Sequence, residues 1–158
     1  MRQTARCLYL DGWTLRSGGA SGADTAFEGG ATPLGDYSRC EIYLPWREFE
    51  NRVEATLHSP LHAAFTVAKW FHPNWSKLSR GARLLQARNS HQMLGADIAN
   101  NPLLPKMVIC WTPGGRGGGG TGQAIRIARA YRVPVYDLAI PAVRERIERY
   151  TVRRLAAA

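Results

Sequence analysis

MVICWTPGGRGGGGTGQAIRIARA, residues 107–130, decides how this chain is read. An apolar, β-branched run ends near Thr112, glycines follow, and a helical pattern with Ile125, Ala128 and Tyr131 on one face takes over. The order strand, glycine turn, helix occurs a second time. WTLRSGGASGADTAFEGG, residues 13–30, places Gly18, Gly19 and Gly22 between a short strand and a helix carrying Asp24 and Glu28. In an open α/β sheet such turns fall at the carboxyl ends of strands, where these folds bind ligands. Glycine lets backbone approach an anion closely, and free N–H groups at a helix start point towards it. Neither turn is followed by Gly-Lys-Ser/Thr, so neither is a P-loop.

Working outward, EIYLPW (41–46) and VPVYDL (133–138) read as two further buried strands. Helices are expected over TARCLYLDG, with Gly12 as its stop, and over GADTAFEG. SPLHAAFTVAKWF is bracketed by Pro60 and Pro73. KLSRGARLLQARNSHQMLGADIA is weakened by Gly81 and Gly95, and GTGQAIRIARAYR follows the second turn. At the C-terminus, Arg144, Arg146, Arg149, Arg153 and Arg154 share a helical pattern with Val143, Ile147, Tyr150 and Leu155, an amphipathic surface helix. Strands alternating with helices predict one domain over 1–158, a parallel sheet with helices on both faces.

The 158 residues carry a formal charge of +9, which favours polyanionic partners such as nucleotides or nucleic acid. No apolar run is long enough to cross a bilayer, and the N-terminus lacks a signal-peptide pattern. Cys7, Cys40 and Cys110 are scattered and form no C-x-x-C pair. A reducing cytoplasm is the expected compartment, in a bacterium or a phage-infected host, with no membrane partner and no cofactor. His58 and His62 stand at i,i+4, but no carboxylate or third ligand joins them, so no metal site is expected.

The candidate ligand-binding residues are Arg16, Ser17, Gly18, Gly19, Gly22 and Asp24 at the first turn. Trp111, Pro113, Gly114, Gly115, Gly119, Gly120, Thr121, Gly122 and Gln123 belong to the second. Arg88 and Asn89, late in a helix, offer a guanidinium fork for phosphate and an amide for base or ribose. Asp24 either holds free N–H groups or accepts a ribose hydroxyl, and Asp24 and Glu28 are the candidate catalytic carboxylates. Arg16 either reaches phosphate or pairs with a neighbouring acid. Trp70, Phe71 and Trp75 either fill the core or an interface, the preferred reading, or stack on a base.

Taken in order, GWTLRSGGASGADTAFEGGA, EIYLPW, ARNSHQMLG, VICWTPGG and GGTGQAIRIARAYRVPVYDL resemble the SLOG superfamily. This Rossmann-like group includes DNA-processing protein A and the lonely-guy phosphoribohydrolases. The likeness covers about Gly12 to Leu138 and is strongest to small DprA-like proteins of phages and prophages. It implies a Rossmann-like fold holding a nucleotide or nucleotide-derived ligand between its glycine turns, as a sensor, sequestering protein or carrier. It also leaves open a hydrolase of N-glycosidic or phosphoribosyl bonds, and single-stranded DNA binding. Members usually begin with a strand and a GSR-like turn, whereas here Met1 falls at the first helix. The expected sheet therefore lacks that strand, either through an altered pocket or through the choice of start. A sheet flank left bare would need cover, so a homodimer or larger oligomer is expected. The phosphoribohydrolases carry a glutamate in PGGxGTxxE, near which this chain has Gln123 and Ala124, and that lowers the enzyme reading.

Overall fold

The computed structural model describes residues 1–157 and is mixed α/β. Its elements run α1 (Arg2–Leu10), β1 (Leu15–Ser17), α2 (Ala23–Ala31), β2 (Cys40–Ile42), α3 (His62–Phe71), α4 (Arg80–Leu94), β3 (Val108–Cys110), α5 (Gly122–Ala130), β4 (Val135–Asp137) and α6 (Pro141–Ala156). Each expected strand forms, shortened to three residues. The long helical pattern is a single helix, α4, capped at its start by the Ser79 hydroxyl, which accepts from the Ala82 N–H at 3.2 Å. Gly81 lies in its first turn, and Gly95, at φ 82°, ends it rather than interrupting it.

The expectation of one sheet is corrected. β1 pairs in parallel with β2, β3 pairs in parallel with β4, and these are two separate two-stranded sheets. β1 and β3 are not hydrogen-bonded neighbours. They are joined instead through side chains, since Leu15 of β1 and Ile109 of β3 both pack on Ala5, Phe27 and Ala31 of α1 and α2. Successive strand residues point to opposite faces. Val108, the residue before Ile109, accordingly packs on a different cluster, formed by Met93 and Leu94 of α4 and Ala124, Ile127 and Ala128 of α5. Helices thus flank both faces of β3.

The glycines at the end of α2 have a packing role. A Cβ on Gly30 would run into the Arg2 carbonyl and the Ala5 methyl, so only glycine lets α2 close on α1 at this point. α6 lies against α1 through polar anchors as much as apolar ones. Tyr150 donates to Asp11 Oδ2 at 2.7 Å, Arg154 pairs with the same carboxylate, and the Thr4 and Thr151 hydroxyls meet at 3.1 Å. Val143, Ile147 and Tyr150 form its half-buried side, while Leu155 is exposed. Trp70 departs from the core reading: it is 86% exposed. Phe71 and Trp75 do pack inward, the latter beneath the Arg83 guanidinium.

Candidate functional site

A cleft of about 1030 Å³ opens between β1 and β3 and continues to both glycine turns. Of the residues singled out in sequence, Arg16, Ser17, Gly22, Asp24, Arg88, Asn89, Trp111, Gly120 and Thr121 line it. Gly18, Gly19, Pro113, Gly114, Gly115, Gly119, Gly122, Gln123 and Glu28 do not; they shape the turns or lie behind them.

α4 brings the two turns together. Asn89 donates from Nδ2 to the Gly120 carbonyl at 2.9 Å, and its neighbour Arg88 reaches the other turn, 3.5 Å from Asp24 Oδ2. Arg88 is only 7% exposed, and neither its Nε nor its Nη1 has a hydrogen-bond partner among the described residues. Burial lowers its pKa, while the Asp24 and Glu28 carboxylates oppose that shift. A buried guanidinium beside the cleft supplies positive charge that favours an anion there.

The first turn has its own anion. Asp24 Oδ2 accepts from the Gly18 and Ala20 N–H groups, each at 3.2 Å, and the Gly19 N–H donates to Ser17 Oγ at 3.1 Å. These donors, which the sequence offers to a phosphate, are therefore already engaged. Asp24 does not cap its own helix; it ties the turn closed and still faces the cleft. Glu28 is 3% exposed, accepts from the Ser17 hydroxyl and pairs with Arg52. Burial pushes its carboxyl up from the ordinary value, against Ser17 and Arg52, which pull it down. It braces the turn from behind. Arg52, which the sequence did not single out, also donates from Nε to the Gly19 carbonyl at 3.1 Å.

The second turn is different. The backbone N–H groups of Gly118, Gly119, Gly120 and Thr121 have no hydrogen-bond partner among the described residues, and they lead directly into α5. Thr112 and Asp137, also missed in sequence, hold this turn from below. Asp137 accepts the Thr112 hydroxyl and its N–H, the latter at 3.0 Å, and Thr112 Oγ1 in turn accepts from Gly117 at 3.0 Å. A carboxylate ending the strand after a glycine turn was the available signal, but Asp137 is occupied by the fold and not presented to a ribose. Gln123 is 1% exposed, and both amide atoms lack partners among the described residues.

Arg16 has the structural partners that were the alternative to phosphate: Glu41 at 2.6 Å and the Leu103 carbonyl. Trp111 is half exposed at the cleft wall. Cys110 also lines the cleft, but burial and then Asp137 push its thiol up to about 12, which leaves it protonated and a poor nucleophile. His91 is buried and stacks on Tyr43 at 5.5 Å; its Nδ1 meets the Gly95 carbonyl at 2.8 Å and its Nε2 accepts from the Leu61 N–H at 3.1 Å. Among the described residues no helix is long and apolar enough to cross a membrane. Comparisons with family models, with curated proteins and with solved structures find no match to this chain.

Proposed function

We propose that the chain is a nucleotide-binding protein of Rossmann-like type, taking a nucleotide or nucleotide-derived phosphate ligand in the cleft shared by its two glycine turns. The observation that carries this is the pair Arg88 and Asn89, adjacent on α4, one at each turn and both on one cleft. The phosphate goes to the second turn, where the N–H groups of Gly118 to Thr121 have no partner among the described residues at the start of α5 and the helix dipole also favours an anion. Arg88 supplies the balancing charge, and Asp24 accepts a sugar hydroxyl. Trp111 gives a base a surface to stack on.

The test is calorimetric titration of the chain with nucleoside mono- and diphosphates, with ADP-ribose and with the matching nucleosides. Binding that needs the phosphate supports the reading; nucleosides binding as tightly as nucleotides overturns it. Asp24→Asn separates binder from hydrolase. In a binder it weakens affinity by about 1–3 kcal/mol. In a hydrolase it abolishes release of free base while nucleotide still binds. The bound carboxylate of Asp24 and the enclosed Glu28 favour the binder.

The charge of +9 favours one further reading, single-stranded DNA along the same face. Counterion release would then make log K fall with log salt by about 0.7 per phosphate contacted. A ligand held by one phosphate shows a far shallower dependence.

A further inference from the structure

Residues 98–136 hold Lys106, Arg116, Arg126, Arg129 and Arg132 and no acidic residue, so the second turn sits in an unbroken basic stretch. The fold gathers three of these arginines on the turn. A Cβ on Gly122 would lie 2.7 Å from the Gly117 carbonyl, so only glycine lets the two ends of the turn close on each other. That closure brings α5 side chains onto the turn. Arg126 Nη1 lies 3.4 Å from the same Cβ position, and Arg129 Nη2 lies 3.9 Å from the corresponding position of Gly117. From the other end, Arg116 folds back over Gly114, with Nε 3.6 Å from its Cβ position.

Among the described residues, none of the three has a carboxylate within salt-bridge distance. Arg126 donates from Nε to the Phe71 carbonyl at 2.6 Å, while the Arg116 and Arg129 guanidiniums have no hydrogen-bond partner among the described residues. Arg126 and Arg129 stand three apart on α5, where like charges repel and cost helix stability. Asp137, the next acid along the chain, does not relieve them, because its oxygens accept from Thr112 and Ala139. The three arginines lie outside the cleft lining, whereas Gly120 and Thr121 of the same turn face into it. The two sides adjoin: the Cys110 thiol in the cleft, raised by burial and then by Asp137, is pulled back by the Arg129 charge.

A phosphate monoester carries three terminal oxygens and a charge of about −1.5 to −2 at pH 7. The N–H groups of Gly118 to Thr121, Arg88 and three further guanidiniums exceed what those oxygens accept. The charge of three arginines without a carboxylate exceeds that of the monoester as well. A diphosphate matches both, and guanidinium forks suit its paired oxygens. We propose that the second turn takes a diphosphate group, with one phosphate on the cleft side at Gly120, Thr121 and Arg88 and the other on the outer side, held by Arg116, Arg126 and Arg129. Given the cleft as a nucleotide site, on which this rests, the ligand is a nucleoside diphosphate or a nucleotide joined through a diphosphate.

The test titrates the full chain, at one salt concentration, with nucleoside mono- and diphosphates of the same base, with inorganic phosphate and with pyrophosphate. The expected result is that each diphosphate binds tighter than its monophosphate by about tenfold or more, the worth of one charge-assisted hydrogen bond. The double variant Arg116→Gln, Arg129→Gln should lose that preference and keep its affinity for the monophosphates. Arg126 is left in place because it also holds the Phe71 carbonyl. Both replaced side chains are exposed, so the fold should survive; if Tm falls, Arg129→Gln alone carries the comparison. Equal affinity for mono- and diphosphate in the unaltered chain overturns the inference and leaves the phosphate reading of the cleft standing. So does a double variant that weakens both equally, or a control pair on α6, Arg144→Gln with Arg153→Gln, that erases the preference as well, because the arginines would then act only through overall charge. If no nucleotide binds, pyrophosphate decides. Preference for it that depends on Arg116 and Arg129 keeps the diphosphate site and ends the nucleotide reading, and no preference ends both. Binding of a single-stranded thymidine oligomer that needs the two arginines, with no pyrophosphate preference, overturns the inference in favour of a nucleic-acid contact.

Discussion

The Arg88 guanidinium lies directly over Gly18, so that a Cβ on Gly18 would occupy the position of Nη1. Gly18 does not have a left-handed φ, and backbone freedom is not what it supplies. It supplies space for a buried cation. Gly18→Ala should therefore cost about 1–3 kcal/mol by overpacking against a side chain that cannot swing into solvent. In an Arg88→Ala background the same change should cost far less. A double-mutant cycle by urea denaturation measures the difference, and additive costs would show that the two residues do not share this space.

Burial lowers the His91 pKa below its ordinary 6.5, opposed by the Gly95 carbonyl, which raises it. The folded state uses the neutral ring, with Nδ1 donating to Gly95 and Nε2 accepting from Leu61. With the folded pKa below the unfolded one, the unfolded chain binds more protons between the two values. The His91 contribution is thus complete above about pH 6.5 and is lost as pH falls through that window. His72 shifts the same way, through burial and then Arg126, but more exposed, and adds less. Thermal melts from about pH 8 to about pH 5 should show the decline, and His91→Gln should flatten most of it.

Thr112→Val should remove the acceptor of the Gly117 N–H and one donor to Asp137 at a fully buried position. The expected cost is about 1–3 kcal/mol. Amide exchange should quicken at Gly117 and the glycines after it and stay unchanged at the first turn. Equal acceleration at both turns would mean that Thr112 supports the whole domain and not this turn.

Gln123 buries an amide with no partner among the described residues for either end. Gln123→Met, of similar shape, should leave the ligand-free chain as stable or raise it by about 1–2 kcal/mol. If a bound phosphate ligand or its water reaches that amide, the same change should weaken binding. A variant that is both more stable and unimpaired in binding would mark Gln123 as idle.

The residues that mattered were readable in sequence for different reasons. Apolar runs and proline or glycine stops located the four strands and six α-helices of the described residues, because these signals are local and act through the chain's own backbone. The ends of strands were read too long, since pairing partners set a strand's length. Asp24 was read correctly as a residue beside the first turn, yet its bonds to Gly18 and Ala20, rather than to its own helix, depend on how the turn curls back.

By itself, then, the sequence determined the alternation of strand and helix, the two glycine turns and the positive charge. The long-range packing sets that the strands form two separate two-stranded sheets beside a cleft, that Asp24 already fills the first turn, and that the N–H groups of Gly118 to Thr121 in the second turn have no partner among the described residues. Arg88 and Asn89 were visible as neighbours, but their joining of turns about 70 and 30 residues away in the chain was not. Local pattern records which backbone groups can pair. Which of them do is settled by long-range packing, where Leu15 and Ile109 compete for the same apolar surface and no local signal records the outcome.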